Sequence, residues 1–131
     1  MIVRRTLFIF GFAGSLAACT AKISGELQID GGAFAIAECR SGEAFGFSGI
    51  VFGDADGRRL RLIANADGTT SAAIFPSGAD SGDALGLCGT LSTRAQDSRI
   101  NSIINLQGTA NLSCSAAGHS INGKIAFENC H

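Results

Sequence analysis

The reactive side chains of this 131-residue chain are five cysteines, Cys19, Cys39, Cys88, Cys114 and Cys130, and two histidines, His119 and His131. A thiol can serve as nucleophile, metal ligand, acyl acceptor or half of a disulfide, and spacing decides among these. Zinc sites bring their ligands in close pairs such as Cys-x2-Cys, whereas no two cysteines here are closer than sixteen residues, so no metal and no cofactor is expected. The serines lie in turn-like segments with no nucleophile-elbow sequence, and His119 reads as a turn residue, so a Ser-His-Asp or Cys-His engine is not expected either. Asp54-Ala55-Asp56-Gly57 begins like a calcium loop, but Arg58 stands where the next ligand belongs and no distal Glu follows, which makes it a hairpin turn. Asp80 and Asp83 read as solvated loop carboxylates. Arg58, Arg59 and Arg61 form the densest positive run. Arg59 and Arg61 fall on one strand face and Leu60 and Leu62 on the other, which is either a solvated, charge-protected face or a contact for anionic headgroups or phosphate.

Cys19 stands apart because of what precedes it. Arg4 and Arg5 supply a cytoplasmic positive charge, residues 7–13 an apolar run, and Leu16-Ala17-Ala18-Cys19 a branched residue, two small residues and a thiol. The run is too short for a span, which needs about 20 apolar residues. These residues resemble the signal peptide of a bacterial lipoprotein. The resemblance implies a signal helix removed after residue 18, a diacylglyceryl group on the Cys19 sulfur and acylation of the freed amine. Two or more acyl chains hold a protein on a membrane where one does not. It further implies residence on the cell membrane or outer membrane, facing periplasm or exterior. Residues 1–18 are thus expected to be leader, 19–22 the lipidated cysteine with a tether of roughly 10–14 Å, and 23–131 one β domain.

From Cys19 onward eight Lys and Arg face eleven Asp and Glu, a net charge near −3. Nucleic acid, which needs a basic surface, is excluded on that balance. Eighteen glycines against one proline describe short strands and tight turns. Trp and Tyr are absent, and the six phenylalanines beyond the leader, at alternating positions, read as core.

Alternation with period two places strands at about 23–29, 34–39, 45–52, 58–64, 70–75, 85–91, 104–114 and 121–127, joined by Asp-Gly and Gly-rich turns. The expected fold is all-β: an antiparallel meander of about eight strands, closed as a β-sandwich or small barrel. The four remaining cysteines of an exported domain read as two disulfides. If every turn reverses the chain, Cys39 and Cys130 lie at one end and Cys114 at the other, which favours Cys39–Cys130 with Cys88–Cys114. The alternative, Cys39–Cys88 with Cys114–Cys130, requires the stretch 100–114 to break near Gly108.

These features point to a lipid-anchored envelope or surface protein whose non-catalytic domain binds another envelope component, such as an envelope protein partner, or has a structural role. The alternative is an inhibitor or ligand-binding module acting through the 76–83 loop. A Cys19→Ser change should leave the precursor unlipidated and abolish its partitioning into detergent; unchanged partitioning would refute the anchor.

Overall fold

The computed structural model describes residues 20–131. Cys19 and residues 1–18, the expected leader, lie outside them. The domain is an antiparallel β-sandwich of ten strands: β1 (Lys22–Ile29), β2 (Gly32–Phe34), β3 (Glu38–Ser41), β4 (Gly49–Gly53), β5 (Arg59–Ala64), β6 (Thr70–Phe75), β7 (Asp83–Leu87), β8 (Gly89–Ile100), β9 (Ile103–Ala116) and β10 (His119–Cys130). One sheet has the order β2-β1-β10-β9-β8 and the other β3-β4-β5-β6-β7. Neighbours in sequence pair within each sheet, and β10 returns to close against β1 along Lys22–Ile29. Period-two alternation produces the core: Leu60 and Leu62 of β5 and Ile50 and Phe52 of β4 are fully buried, facing Leu112, Ile121, Ile125 and Phe127 from the other sheet. Phe52 and Phe127 meet edge to face at 5.7 Å between ring centroids, the arrangement that aromatic quadrupoles favour.

The strand count exceeds eight for a physical reason. The segments 34–39 and 85–91 each contain a passage from one sheet to the other, at 35–37 and at Cys88, which an alternation pattern does not register. The segment 45–52 begins as something else. Gly42–Phe45 is a 3-10 turn, capped by the Ser41 hydroxyl accepting from the Glu43 N–H and closed by Gly46 at φ +83°, and the strand starts only at Gly49. The twelve residues of β8 escape the pattern because Ser92 to Arg99 are polar on both faces. Asn101 and Ser102, both at positive φ, turn β8 into β9 as a two-residue hairpin. β9 then runs unbroken through Gly108.

Disulfides join Cys39 to Cys130 and Cys88 to Cys114, with Cα separations of 4.9 and 4.7 Å. The first ties β3 to β10 across the sandwich. The second sits at a corner: the Cys88 N–H donates to the Thr70 carbonyl in one sheet, and its carbonyl accepts from the Ser113 N–H in the other. Gly123, in β10 at φ +144°, has no room for a side chain, because a Cβ would fall inside contact distance of the Glu26 carbonyl.

A polar clamp adds a third link between the sheets. His119 at the start of β10 places Nδ1 2.8 Å from Asp30 Oδ2 in the β1–β2 turn and Nε2 3.0 Å from Asp83 Oδ2 on β7. Asp30 also accepts from the Ser120 N–H. Only the imidazolium donates to both carboxylates at once, so the hydrogen bond to Asp30, then that to Asp83, raise the His119 pKa above its ordinary 6.5. The Asp30 pKa is lowered, chiefly by the same hydrogen bond.

Loop-closure entropy scales with the chain enclosed, 91 residues for Cys39–Cys130 and 26 for Cys88–Cys114. Replacing both cysteines of the first pair by Ala should cost about 4–5 kcal/mol in urea unfolding, and of the second about 3–4 kcal/mol; equal losses would contradict this ordering. A raised His119 pKa gives stability that is complete below pH 6.5 and lost as pH rises through the folded value. The melting temperature should therefore fall over that alkaline limb, more weakly in high salt because the carboxylates are half exposed. A His119→Gln variant should lose that part of the slope.

Candidate functional site

The outward face of the β3–β7 sheet carries a pocket built on β5. Because Leu60 and Leu62 point into the core, Arg59 and Arg61 must point out. Register then supplies their neighbours: Arg61 lies between Val51 and Ala73, and Arg59 between Gly53 and Phe75. Val51 and Ala73 are small beside Arg61, whereas the space over Gly53 beside Arg59 is taken by the Glu38 side chain, whose Cγ and Oε1 lie 2.8 Å from where a Gly53 Cβ would stand. Phe47 and Phe45, carried by the 3-10 turn and the residues after it, lean over one side, and Asp80 of the 76–83 loop borders the other, enclosing about 150 Å³.

Both arginines are held by ring faces. The Arg61 guanidinium carbon lies 4.5 Å from the Phe75 centroid and 5.6 Å from that of Phe47; the Arg59 carbon lies 5.0 Å from Phe75. A guanidinium is weakly hydrated on its faces, so stacking occupies the faces and leaves the in-plane N–H groups for acceptors. Arg59 gives one donor, Nη2, to the Ala79 carbonyl at 2.5 Å. Arg61 Nε is buried without an acceptor. Among the described residues no carboxylate forms an ion pair with either arginine, although Asp80 stands at the rim. A buried donor left unmade costs about 1–3 kcal/mol, more when charged, and two adjacent guanidiniums repel each other. The arrangement therefore has capacity for an anionic acceptor, a carboxylate or a phosphate, with the half-exposed Phe45 ring (55% accessible) beside it.

Arg58, read in the sequence with Arg59 and Arg61, is directed elsewhere. Its Nε donates to Asp54 Oδ2 at 2.7 Å, its backbone N–H to Asp54 Oδ1, and its guanidinium lies over Phe34 at 5.4 Å. Burial works against the Asp54 carboxylate, but these hydrogen bonds and the Arg58 charge hold its pKa below 3.8. Asp54 also accepts from the Asp56 N–H, so its oxygens serve their own turn. Asp67 does the same for Thr69 in the next hairpin. Among the described residues no three His, Cys, Asp or Glu side chains group as metal ligands. The 76–83 loop is pinned by Arg59 to Ala79, by the Ser77 hydroxyl donating to the Asp56 carbonyl, and by Asp83 at His119.

The aromatic half of the pocket was not legible in the sequence. Phe34, Phe52 and Phe127 are core, but Phe75 is buried on the outer face beneath the arginines, and Phe45 and Phe47 stand outside the core altogether. Same-parity spacing of Phe45 and Phe47 gives one face without saying which. Pairing Phe75 with Arg59 was the available signal, and it requires the β5–β6 register.

A broader trough of about 600 Å³ crosses the outer face of the other sheet. Along it Lys22 stands across from Glu128 in the strand register, and Arg94 donates to the neutral Gln107 side-chain oxygen at 2.9 and 2.7 Å in the amide orientation that satisfies both groups. Comparison with protein-family models, with curated proteins and with solved structures returns no match for the chain.

Proposed function

We propose that this is a lipid-anchored, non-catalytic binding protein of the bacterial envelope, held on the cell or outer membrane through Cys19, whose β domain takes an acidic group of another envelope component at Arg59 and Arg61. The observation that carries the binding role is the pair of ring-stacked guanidiniums with donors to spare and no ion-pair partner among the described residues. The Leu16-Ala17-Ala18-Cys19 sequence supports the anchor, and two disulfides suit an oxidising compartment outside the cytoplasm. A second reading, an inhibitor that presents the 76–83 loop to an enzyme, draws support from the same pinning contacts, since a loop held in one conformation binds with less ordering cost.

Titration of the full chain in detergent micelles with inorganic phosphate and with acetate, followed by arginine Nε–H NMR signals, tests the pocket. The Arg61 signal should move and saturate, and the shift should weaken in an Arg59→Gln variant with an unchanged melting curve. Signals that stay still in the wild type would remove the anion site. In cells, a partner crosslinked by the wild type and lost in that variant would support the binding role, whereas equal recovery would place the contact elsewhere, with deletion of the 76–83 loop as the discriminating step.

A further inference from the structure

The β8–β9 hairpin outruns the sheet on the side where the chain comes in. Lys22, the first residue of β1, pairs with Glu128, and β10 ends at Cys130, level with Leu106 of β9. Residues 97–105 continue past that limit, with Arg99 opposite Ile104 and Ile100 opposite Ile103. β1 and β9 are each antiparallel to β10, so they run the same way. Followed backwards, the chain from Lys22 towards Cys19 and the chain from Gln107 towards the hairpin turn head in one direction. The turn lies five residues beyond Gln107, roughly 16 Å of strand, whereas Cys19 is three residues from Lys22, at most about 11 Å.

A hydrogen-bonded link ties the two together at their base. Asn129, at φ +60°, gives its side-chain N–H to the Thr20 carbonyl at 3.4 Å. Its backbone N–H donates to Gln96 Oε1 at 2.8 Å, and its Oδ1 accepts from Gln96 Nε2 at 3.2 Å. Gln96 lies in the β8 irregularity between Ala95 and Arg99. The residue following Cys19 is thereby fastened to the foot of the hairpin.

The composition of the tip fits a particular surface. Ile100, Ile103 and Ile104 are partly exposed and lie outside the core cluster, around an exposed Asn101-Ser102 turn with an exposed Arg99 beside them. Three β-branched apolar side chains at a projecting turn stand apart from the core cluster, and a cation at their edge matches phosphate headgroups.

We propose that the tip of this hairpin is a second membrane contact, with Ile100, Ile103 and Ile104 entering the headgroup boundary of the bilayer that holds the Cys19 acyl chains. This rests on the lipid-anchor reading. Acyl chains alone leave the domain free to swivel; an apolar tip at a second point fixes its tilt, and with it the direction in which the Arg59–Arg61 pocket faces.

The test uses the full-length lipidated protein in phosphatidylcholine vesicles carrying doxyl-labelled lipid. A fluorophore on Ile103→Cys should be quenched several-fold more than one on Ser113→Cys, an exposed position on the opposite stretch of β9. Hydrogen exchange on the unlabelled wild type avoids any folding defect of those variants. Amides 99–104 should slow about fivefold or more on vesicles relative to the Cys19→Ser protein in solution. Unquenched tip label with unchanged exchange, in protein that floats with the vesicles, overturns the hairpin contact while leaving the anchor standing. Protein that fails to float and carries no acyl mass on Cys19 overturns both. Protection that rises with protein-to-lipid ratio assigns the tip to a second copy of the chain and overturns the proposal.

Discussion

The domain depends on the two places where the chain changes sheets. A sandwich gains its stability by burying the inner faces of both layers, but each layer alone is an open sheet, and the crossings fix one layer against the other. The first crossing, at 35–37, is followed at once by Cys39; the second is Cys88 itself. Each disulfide thus secures a crossing, Cys39 to the end of β10 and Cys88 to β9. Between them Phe52 meets Phe127, and the imidazole of His119 reaches both sheets at another edge. For a domain without Trp or Tyr, whose strands carry many Gly, Ala and Ser, covalent links at these points offset a modest apolar core.

The legibility of this fold follows from what period-two reasoning measures. Alternation reports a strand with one wet and one dry face, and it located β1, β5, β6, β9 and β10 closely, because Leu60 and Leu62 or Ile121 and Ile125 have polar neighbours in between. It could not see β8, whose residues from Ser92 to Arg99 have two polar faces, nor the 3-10 turn at Gly42–Phe45, because Phe45 and the following Phe47 fit a strand equally well. Direction counting along the strands was sufficient for the disulfide pairing even with two strands uncounted, since the order of reversals between Cys114 and Cys130 involves a single hairpin. Of the candidate pocket, the two arginines and their common face were legible. The rings that hold them were not, because aromatic side chains read as core until the neighbouring strand shows otherwise. Arg58 parted from its neighbours for a local reason: the start of the strand lies next to the turn carboxylate of Asp54, four residues back.

The outer face of the β3–β7 sheet shows how such a protein keeps apolar area on a wet surface. Phe75 and Phe47 are covered by guanidiniums rather than by aliphatic side chains, so the surface stays charged while the rings are shielded. The same device leaves donors facing outward. A cover made of Leu or Ile would hide the rings as well and could hold no ligand.

Pairing of β1 with β10 has a consequence in time. Apart from the three-residue pairing of Leu27–Ile29 with β2, the first strand finds its partner only when the last has been made, and the ladder between them joins opposite ends of the domain sequence. Contacts of such high sequence separation slow folding, because the loop must close before pairing stabilises it. A nascent chain would therefore hold β1 paired along no more than its last three residues until β10 emerges. Late closure keeps the two ends of the domain apart until the trailing end has emerged, and the same closure afterwards draws head and tail together side by side in one sheet.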